Sequence, residues 1–238
     1  MPVQEFDQYA RNYSKDIEET LGVFGKNHDF YVRHKADILN DLFRSLGRDR
    51  RGIKVLDVGC GVGLVHPLIV GSVGELHGYD VSEDSIDVAR RDNPGVSYTA
   101  TPPGPLPYDD HSFDCAYAIC VLHHVPLSEW AFFTREMARV VKPGGVVVFI
   151  EHNPYNPATR WVVNNCPIDK DAVLVKPARL GELMAGAGAS RTDISYVMFA
   201  PFEGRAFRRL DDMLSRVPLG AQYVSVSQIG SASTLPAS

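Results

Sequence analysis

The 238-residue chain is short of cysteine and tryptophan, and it has no long apolar run and no basic cluster. Each shortage excludes something. Its four cysteines, Cys60, Cys115, Cys120 and Cys166, make no CxxC pair of the kind that holds structural zinc. Three of them fall in or beside stretches that read as buried strands, so reduced thiols and a cytoplasmic setting are expected. No apolar stretch approaches the roughly 18–20 residues that a membrane helix needs. The opening "MPVQEFDQYA" lacks the apolar centre of a signal peptide. Asn12-Tyr13-Ser14 matches a glycosylation acceptor, but with no secretory route in view the match is read as empty. Lys and Arg number 24 against 29 Asp and Glu, a net charge of −5. Nucleic acid and anionic membranes both demand a positive footprint, so neither is expected as the main partner.

What is present suits a soluble globular protein. Hydrophobic residues make up 45% and charged residues 22%, the balance of an ordinary soluble domain able to bury a full core. In "FYVRHKADILNDLFRSLG", apolar residues at 31, 38, 39, 42, 43 and 46 keep helical spacing, and Gly47 offers a stop. From 53 onward the pattern becomes short apolar runs divided by helices. Strands are expected at 53–58, 75–79, 96–98, 113–119 and 146–150, with helices at 62–70, 82–91 and 128–141 between them. Ser82 and Ser128 read as N-caps, and "KPGG" at 142–145 as a turn. A non-periodic stretch runs to about 176. A helix at 177–187 and strands at 192–199 and 221–227 follow, the last two separated by a helical insertion. Strands alternating with helices predict a doubly wound, mostly parallel sheet covered on both faces.

Residues 55–63, "VLDVGCGVG", end the first strand in three glycines at alternate positions. Ligands of such sheets settle at the carboxyl ends of strands, where strand order reverses. Glycines there let the chain turn sharply and keep Cβ atoms away from a ligand. A nicotinamide fingerprint reads G-x-G-x-x-G, but Leu64 stands where its third glycine belongs, and Asp57 precedes the loop. That acid would repel a pyrophosphate and welcome a cationic ligand. Asp80 closes the second strand, where a carboxylate can accept both hydroxyls of a ribose. Two carboxylates and a glycine loop suit a positively charged nucleoside.

These residues resemble class I S-adenosylmethionine-dependent methyltransferases. "VLDVGCGVGL" looks like that family's first motif, and Asp80 like its ribose-binding acid. "LPYDDHSFDCAYAICVLHHV" (106–125) is similar to the segment entering the fourth strand, and "EMARVVKPGGVVVFIE" (136–151) to the helix, turn and fifth strand after it. The resemblance implies a seven-stranded Rossmann-like sheet whose last strand is antiparallel, spanning 51–238, with a substrate-facing insert at 151–176. It also implies an N-terminal helical lid over 1–50, in which "FDQYARNYS" (6–14) and the next helix close over the cofactor. S-adenosylmethionine contacts are implied at Tyr13, Asp57, Gly59, Cys60, Gly61, Asp80, Val81, Thr101 and Ile119. In one departure, "TATPPGPLP" (99–107) has no carboxylate where the family holds the adenine amino group, leaving Thr101 or backbone carbonyls to accept that hydrogen bond.

The remaining candidates lie at the ends of the fourth and fifth strands. His123 and His152 are expected to face one crevice and are the candidate general bases, since histidine titrates near working pH. His124 reads as structural. Glu151 and Asn153 are the expected acceptor contacts, because they open a loop dense in proline and asparagine at the binding edge of the sheet. Cys166 reads as a small buried apolar group, and Lys35 as a minor candidate for the cofactor carboxylate. The spacing offers no metal constellation, so a cation-dependent mechanism is not expected. The expected activity is methyl transfer to a small-molecule acceptor, a hydroxyl or other oxygen on a sugar, lipid-linked or secondary metabolite. The alternatives are a nicotinamide oxidoreductase, which Leu64 and Asp57 oppose, and a non-catalytic S-adenosylmethionine-binding module.

Overall fold

Apolar runs of five to seven residues become strands here because flanking helices cover both of their faces. The computed structural model of the protein describes residues 28–46, 52–169, 172–199 and 205–230. Its strands are β1 (Lys54–Val58), β2 (Glu75–Asp80), β3 (Ser97–Ala100), β4 (Phe113–Ile119), β5 (Val141–His152), β6 (Ala189–Val197) and β7 (Gln222–Ile229). They form one sheet in the order β3-β2-β1-β4-β5-β7-β6. The pairs from β3 to β5 are parallel, whereas β7 runs antiparallel to both β5 and β6. This is the expected doubly wound, mostly parallel seven-stranded sheet. Strand order reverses between β1 and β4, so the crevice for a ligand opens beside the carboxyl ends of those two strands.

The described helices are α1 (His28–Leu46), α2 (His66–Ile69), α3 (Glu83–Asp92), α4 (Trp130–Val140), α5 (Pro157–Asn165), α6 (Pro177–Gly186) and α7 (Arg205–Leu214). Side chains alternate along the strands between two cores. On one face Leu56, Val147 and Phe149 meet Met137 of α4 and Leu180 of α6. On the other, Val55, Val148 and Ile150 meet Leu39 and Phe43 of α1 and Ile69 of α2. The period of two along β1 and β5 is what divides them.

The structure corrects four local expectations. The helix expected at 62–70 shrinks to α2 and a 3₁₀ turn, Val70–Ser72, because the glycine turn persists to residue 65 and Pro67 starts the helix. Ser82 does cap α3, accepting the Ser85 N–H at 3.1 Å, but no side chain caps α4. A 3₁₀ turn at Leu127–Glu129 leads into α4 instead. The stretch after β5 is not wholly irregular, for α5 occupies its middle. Asn156 caps it by accepting the Thr159 N–H at 3.0 Å, and Pro157 sits in the first turn. Finally, α1 is a core element: Ala36, Leu39 and Phe43 are buried against the sheet. This part of the expected lid therefore covers the sheet rather than the cofactor crevice. Tyr13 and the 6–14 segment lie outside the described residues.

Candidate active site

The turn after β1 is built on glycines in left-handed backbone: φ is 78° at Gly59, 52° at Gly61 and 72° at Gly63. A Cβ on Gly59 would stand 2.6 Å from Val121 Cγ2, and one on Gly63 would stand 2.8 Å from the Tyr98 hydroxyl oxygen. A Cβ on Gly61 would meet nothing within 4 Å. The two outer glycines thus serve close packing, while Gly61 presents bare backbone to open space.

Asp80, at the carboxyl end of β2, locks this turn. One carboxylate oxygen accepts the Gly61 N–H at 2.7 Å, and the other accepts the Ser82 N–H at 3.0 Å. Burial raises its carboxyl above the ordinary value, and those two N–H groups oppose the rise. The carboxylate therefore stands against the glycine backbone. Beside it, Thr101 Oγ1 lies 3.3 Å from the Tyr79 hydroxyl oxygen, and Val81 packs on the core. The Cys60 thiol, near Asp57 and Asp80, is pushed up by burial and then by both acids, so it stays protonated.

Asp57 is buried beneath the turn rather than lining it. Its Oδ2 lies 2.9 Å from His66 Nε2, and His66 Nδ1 lies 2.5 Å from the Tyr98 hydroxyl oxygen. Burial raises the Tyr98 hydroxyl, so it keeps its proton. This chain ties β1, α2 and β3 together under the glycines. His66 and Tyr98 escaped the sequence reading, although a histidine inside the glycine-turn helix was the available signal.

A second cluster gathers where β4 and β5 end. Cys120 has φ of 56°, and its N–H donates to the Ile150 carbonyl oxygen at 2.8 Å. A non-glycine residue in that region stores strain of order 1–3 kcal/mol, and such strain concentrates at functional sites. Its Sγ lies 3.8 Å from Lys35 Nζ and 3.3 Å from Gln222 Nε2. Burial would raise this thiol, but Lys35 and then His152 hold it down to about 7. Ile119, the last residue of β4, packs against the α1 side of the sheet.

Glu151 organises the next turn. Its Oε1 accepts the N–H groups of Val121 and Leu122 at 3.1 and 2.8 Å, and its Oε2 lies 2.5 Å from His123 Nδ1. Burial would lower the His123 ring, yet Glu151 and Asp169 outweigh burial and raise it to about 10. His152 is likewise raised against burial, mainly by Cys120. His124 is lowered to about 4, by burial and by His123 beside it. Asp169, in the 3₁₀ turn Pro167–Asp169, is held below the carboxylate range by these histidines despite burial.

The crevice therefore does bring His123 and His152 together, with ring centroids 5.1 Å apart. It also adds Asp169, which no local sequence signal marked, and the three side chains place ligand-capable atoms within 4.8 Å of one another. The expectation of no metal constellation is corrected on that point. The base role expected of His123 is corrected too, because a ring that keeps its proton at neutral pH donates rather than accepts. Glu151 and Asn153 are not placed to touch an acceptor. Both are wholly buried, and the Asn153 amide donates to the carbonyls of Pro218 and Gly220 at 3.1 and 2.7 Å while its oxygen accepts the Tyr155 N–H.

Residues 56–149 match the family model of a methyltransferase domain. Demethylmenaquinone methyltransferase of Staphylococcus aureus (strain MRSA252) is 37% identical over 108 residues, covering 43% of this chain and 44% of that protein. The chain thus spans less than half the length of this relative. An S-adenosylmethionine-dependent methyltransferase of Thermotoga maritima shares the fold with a TM-score of 0.67 at 19% identity, over 94% of this chain and 97% of that one. Magnesium protoporphyrin IX methyltransferase of Synechocystis PCC 6803, solved with bound S-adenosylmethionine, has a TM-score of 0.56 at 17% identity, over 83% of this chain and 79% of that one. The sequence match carries a methyltransferase domain over residues 56–149, and the structural likeness carries the fold shared with these S-adenosylmethionine-dependent methyltransferases.

Proposed function

We propose that the chain transfers a methyl group from S-adenosylmethionine to an acidic oxygen, an enol or phenol, of a small organic acceptor. The observation that carries the reading is the pairing of a bare, left-handed Gly61 with the Asp80 carboxylate at the sheet's point of strand reversal. A nucleoside sugar there meets hydrogen-bond acceptors, and the sulfonium meets an acid-lined turn without a phosphate to repel. In this reading Asp80, Gly59 and Gly61 hold the donor, with Cys60, Val81, Thr101 and Ile119 around it and Asp57 supporting from below.

The sulfonium leaves as a neutral thioether, so the protein's main task is to align acceptor oxygen, methyl carbon and sulfur in a dry pocket. The acceptor comes from the β4 and β5 side. Lys35, His123 and His152 gather cationic character there, which favours an oxygen that arrives ionised and needs no base. The quinone named in the Staphylococcus aureus relatives becomes a diphenol only when reduced to its quinol, the form that would fit this reading.

Calorimetry with S-adenosylmethionine, S-adenosylhomocysteine and NAD(H) tests the donor half. Binding of the first two without the third supports it, and preference for NAD(H) would overturn it in favour of an oxidoreductase. Transfer of labelled methyl to phenolic, enolic, amine and sugar panels tests the acceptor half. A preference for amines or neutral sugars would remove the acidic-oxygen reading, and donor binding without turnover on any panel would favour a binding module.

A further inference from the structure

We propose that His123 Nε2, one ring nitrogen of His152 and a carboxylate oxygen of Asp169 form a three-ligand site for a first-row divalent cation, with zinc the best match. His123 Nε2 has no hydrogen bond, although the side chain is only 1% exposed. The oxygen it faces, Asp169 Oδ1, is 3.5 Å away, outside the range of about 2.7–3.2 Å for a good N–H···O bond. Two ligands of one tetrahedral zinc, at bond lengths of about 2.0–2.2 Å, stand roughly 3.3–3.5 Å apart. The spacing therefore fits a shared ion better than a direct bond. His152 brings the third ligand atom, and all three lie within 4.8 Å of one another.

The surroundings point the same way. A metal-binding histidine characteristically gives its other ring N–H to a carboxylate, which fixes the tautomer and aims the ring. His123 does this at 2.5 Å to Glu151, and Glu151 is itself held by the Val121 and Leu122 N–H groups. The outer shell is thus built from backbone and a buried carboxylate. Two imidazoles with one carboxylate is a donor set that zinc accepts while keeping a fourth position open. The Asp169 side chain is 11% exposed, so an ion has a way in from solvent. On binding, the cation takes the place of the proton on His123 Nε2. Metal uptake there does not depend on the methyl-transfer reading, and the test below reads binding alone.

The full chain, stripped with a chelator and dialysed, should be titrated with Zn²⁺ by calorimetry and with Co²⁺ by visible absorption. One equivalent of Zn²⁺ is expected, with the intense d–d bands of low-coordinate Co²⁺. His152→Ala and Asp169→Asn should each weaken Zn²⁺ uptake by more than about tenfold, and Glu151→Gln, one shell out, by about 10–100-fold. Circular dichroism and thermal unfolding confirm that each variant is folded. His123→Ala is left out because it would strand buried Glu151. Failure of the stripped protein to take up one equivalent would overturn the site, as would unchanged uptake in folded His152→Ala and Asp169→Asn.

Discussion

Gly59 and Gly61 stand two residues apart in one turn, yet a methyl group should injure the protein differently at each. On Gly59 it meets Val121 at 2.6 Å in left-handed backbone, so Gly59→Ala should lower the unfolding free energy by about 1–3 kcal/mol in urea titrations. On Gly61 it meets open space, where only the backbone strain of about 1 kcal/mol applies. Gly61→Ala should instead weaken S-adenosylmethionine binding measured by calorimetry, because the ligand needs that space. Equal stability loss with unchanged binding would disprove the division. Asp80→Ala belongs at the same scale. In the proposed reading the carboxylate meets the ribose hydroxyls, so its removal should lower donor affinity by on the order of 1–3 kcal/mol. A folded Asp80→Ala variant that binds S-adenosylmethionine as the parent does would end the ribose assignment.

Among the elements, α4 does more than cover the sheet. Arg139 in its last turn donates to the carbonyl oxygens of Tyr108 and Leu106 at 2.8 and 3.0 Å and pairs with Glu136 at 2.7 Å. Glu136 in turn accepts the Leu106 N–H at 2.8 Å. Together they clamp the segment that enters β4 and so fix where the crevice wall begins. Arg139 holds the Glu136 carboxyl below the ordinary range. A depressed folded-state pKa stabilises above the unfolded value, near 4.3, and that contribution is lost as pH falls through the lowered folded value. Stability should therefore decline with acidity below about pH 5, and Arg139→Gln should flatten that slope. Urea midpoints measured from about pH 3 to 6 decide it. Parallel pH profiles in parent and variant would exclude the pair as the source.

For the molecule as a whole, α1 decides whether the described N-terminal helix is a lid or a wall. Phe43 is fully buried, 6.4 Å between ring centroids from Tyr117 of β4. Phe43→Ala should cost about 3–5 kcal/mol in global unfolding, the range for emptying an aromatic core site. A lid residue would leave the global transition unmoved and change only ligand kinetics. Lys35 on the same helix reaches Cys120, so a wall that carries one crevice residue is the consistent description. The sheet's two cores share β1, β4 and β5, which should make unfolding a single transition by fluorescence and circular dichroism.

The local sequence determined much of this. Short apolar runs in "VLDV" and "VVVFI" specified buried strands, glycines at 59, 61 and 63 specified a sharp turn, and Asp80 was legible as an acid at a strand end beside that turn. A doubly wound, mostly parallel sheet also followed from the alternation of strands and helices. What the sequence left open depends on distant contacts. Nothing near residue 169 says that "PID" will bring a carboxylate 3.5 Å from His123, because 46 positions of chain separate them and only tertiary contacts set the distance. Glu151 and Asn153 were placed at the right edge, yet both are consumed within the fold: Glu151 by the turn after β4 and Asn153 by the carbonyls before β7. Asn156-Pro157 was a helix start that the density of proline hid. The sequence determined which residues arrive at the crevice, and tertiary structure decided which of them turn inward, because burial leaves a polar side chain only the partners that distant segments supply.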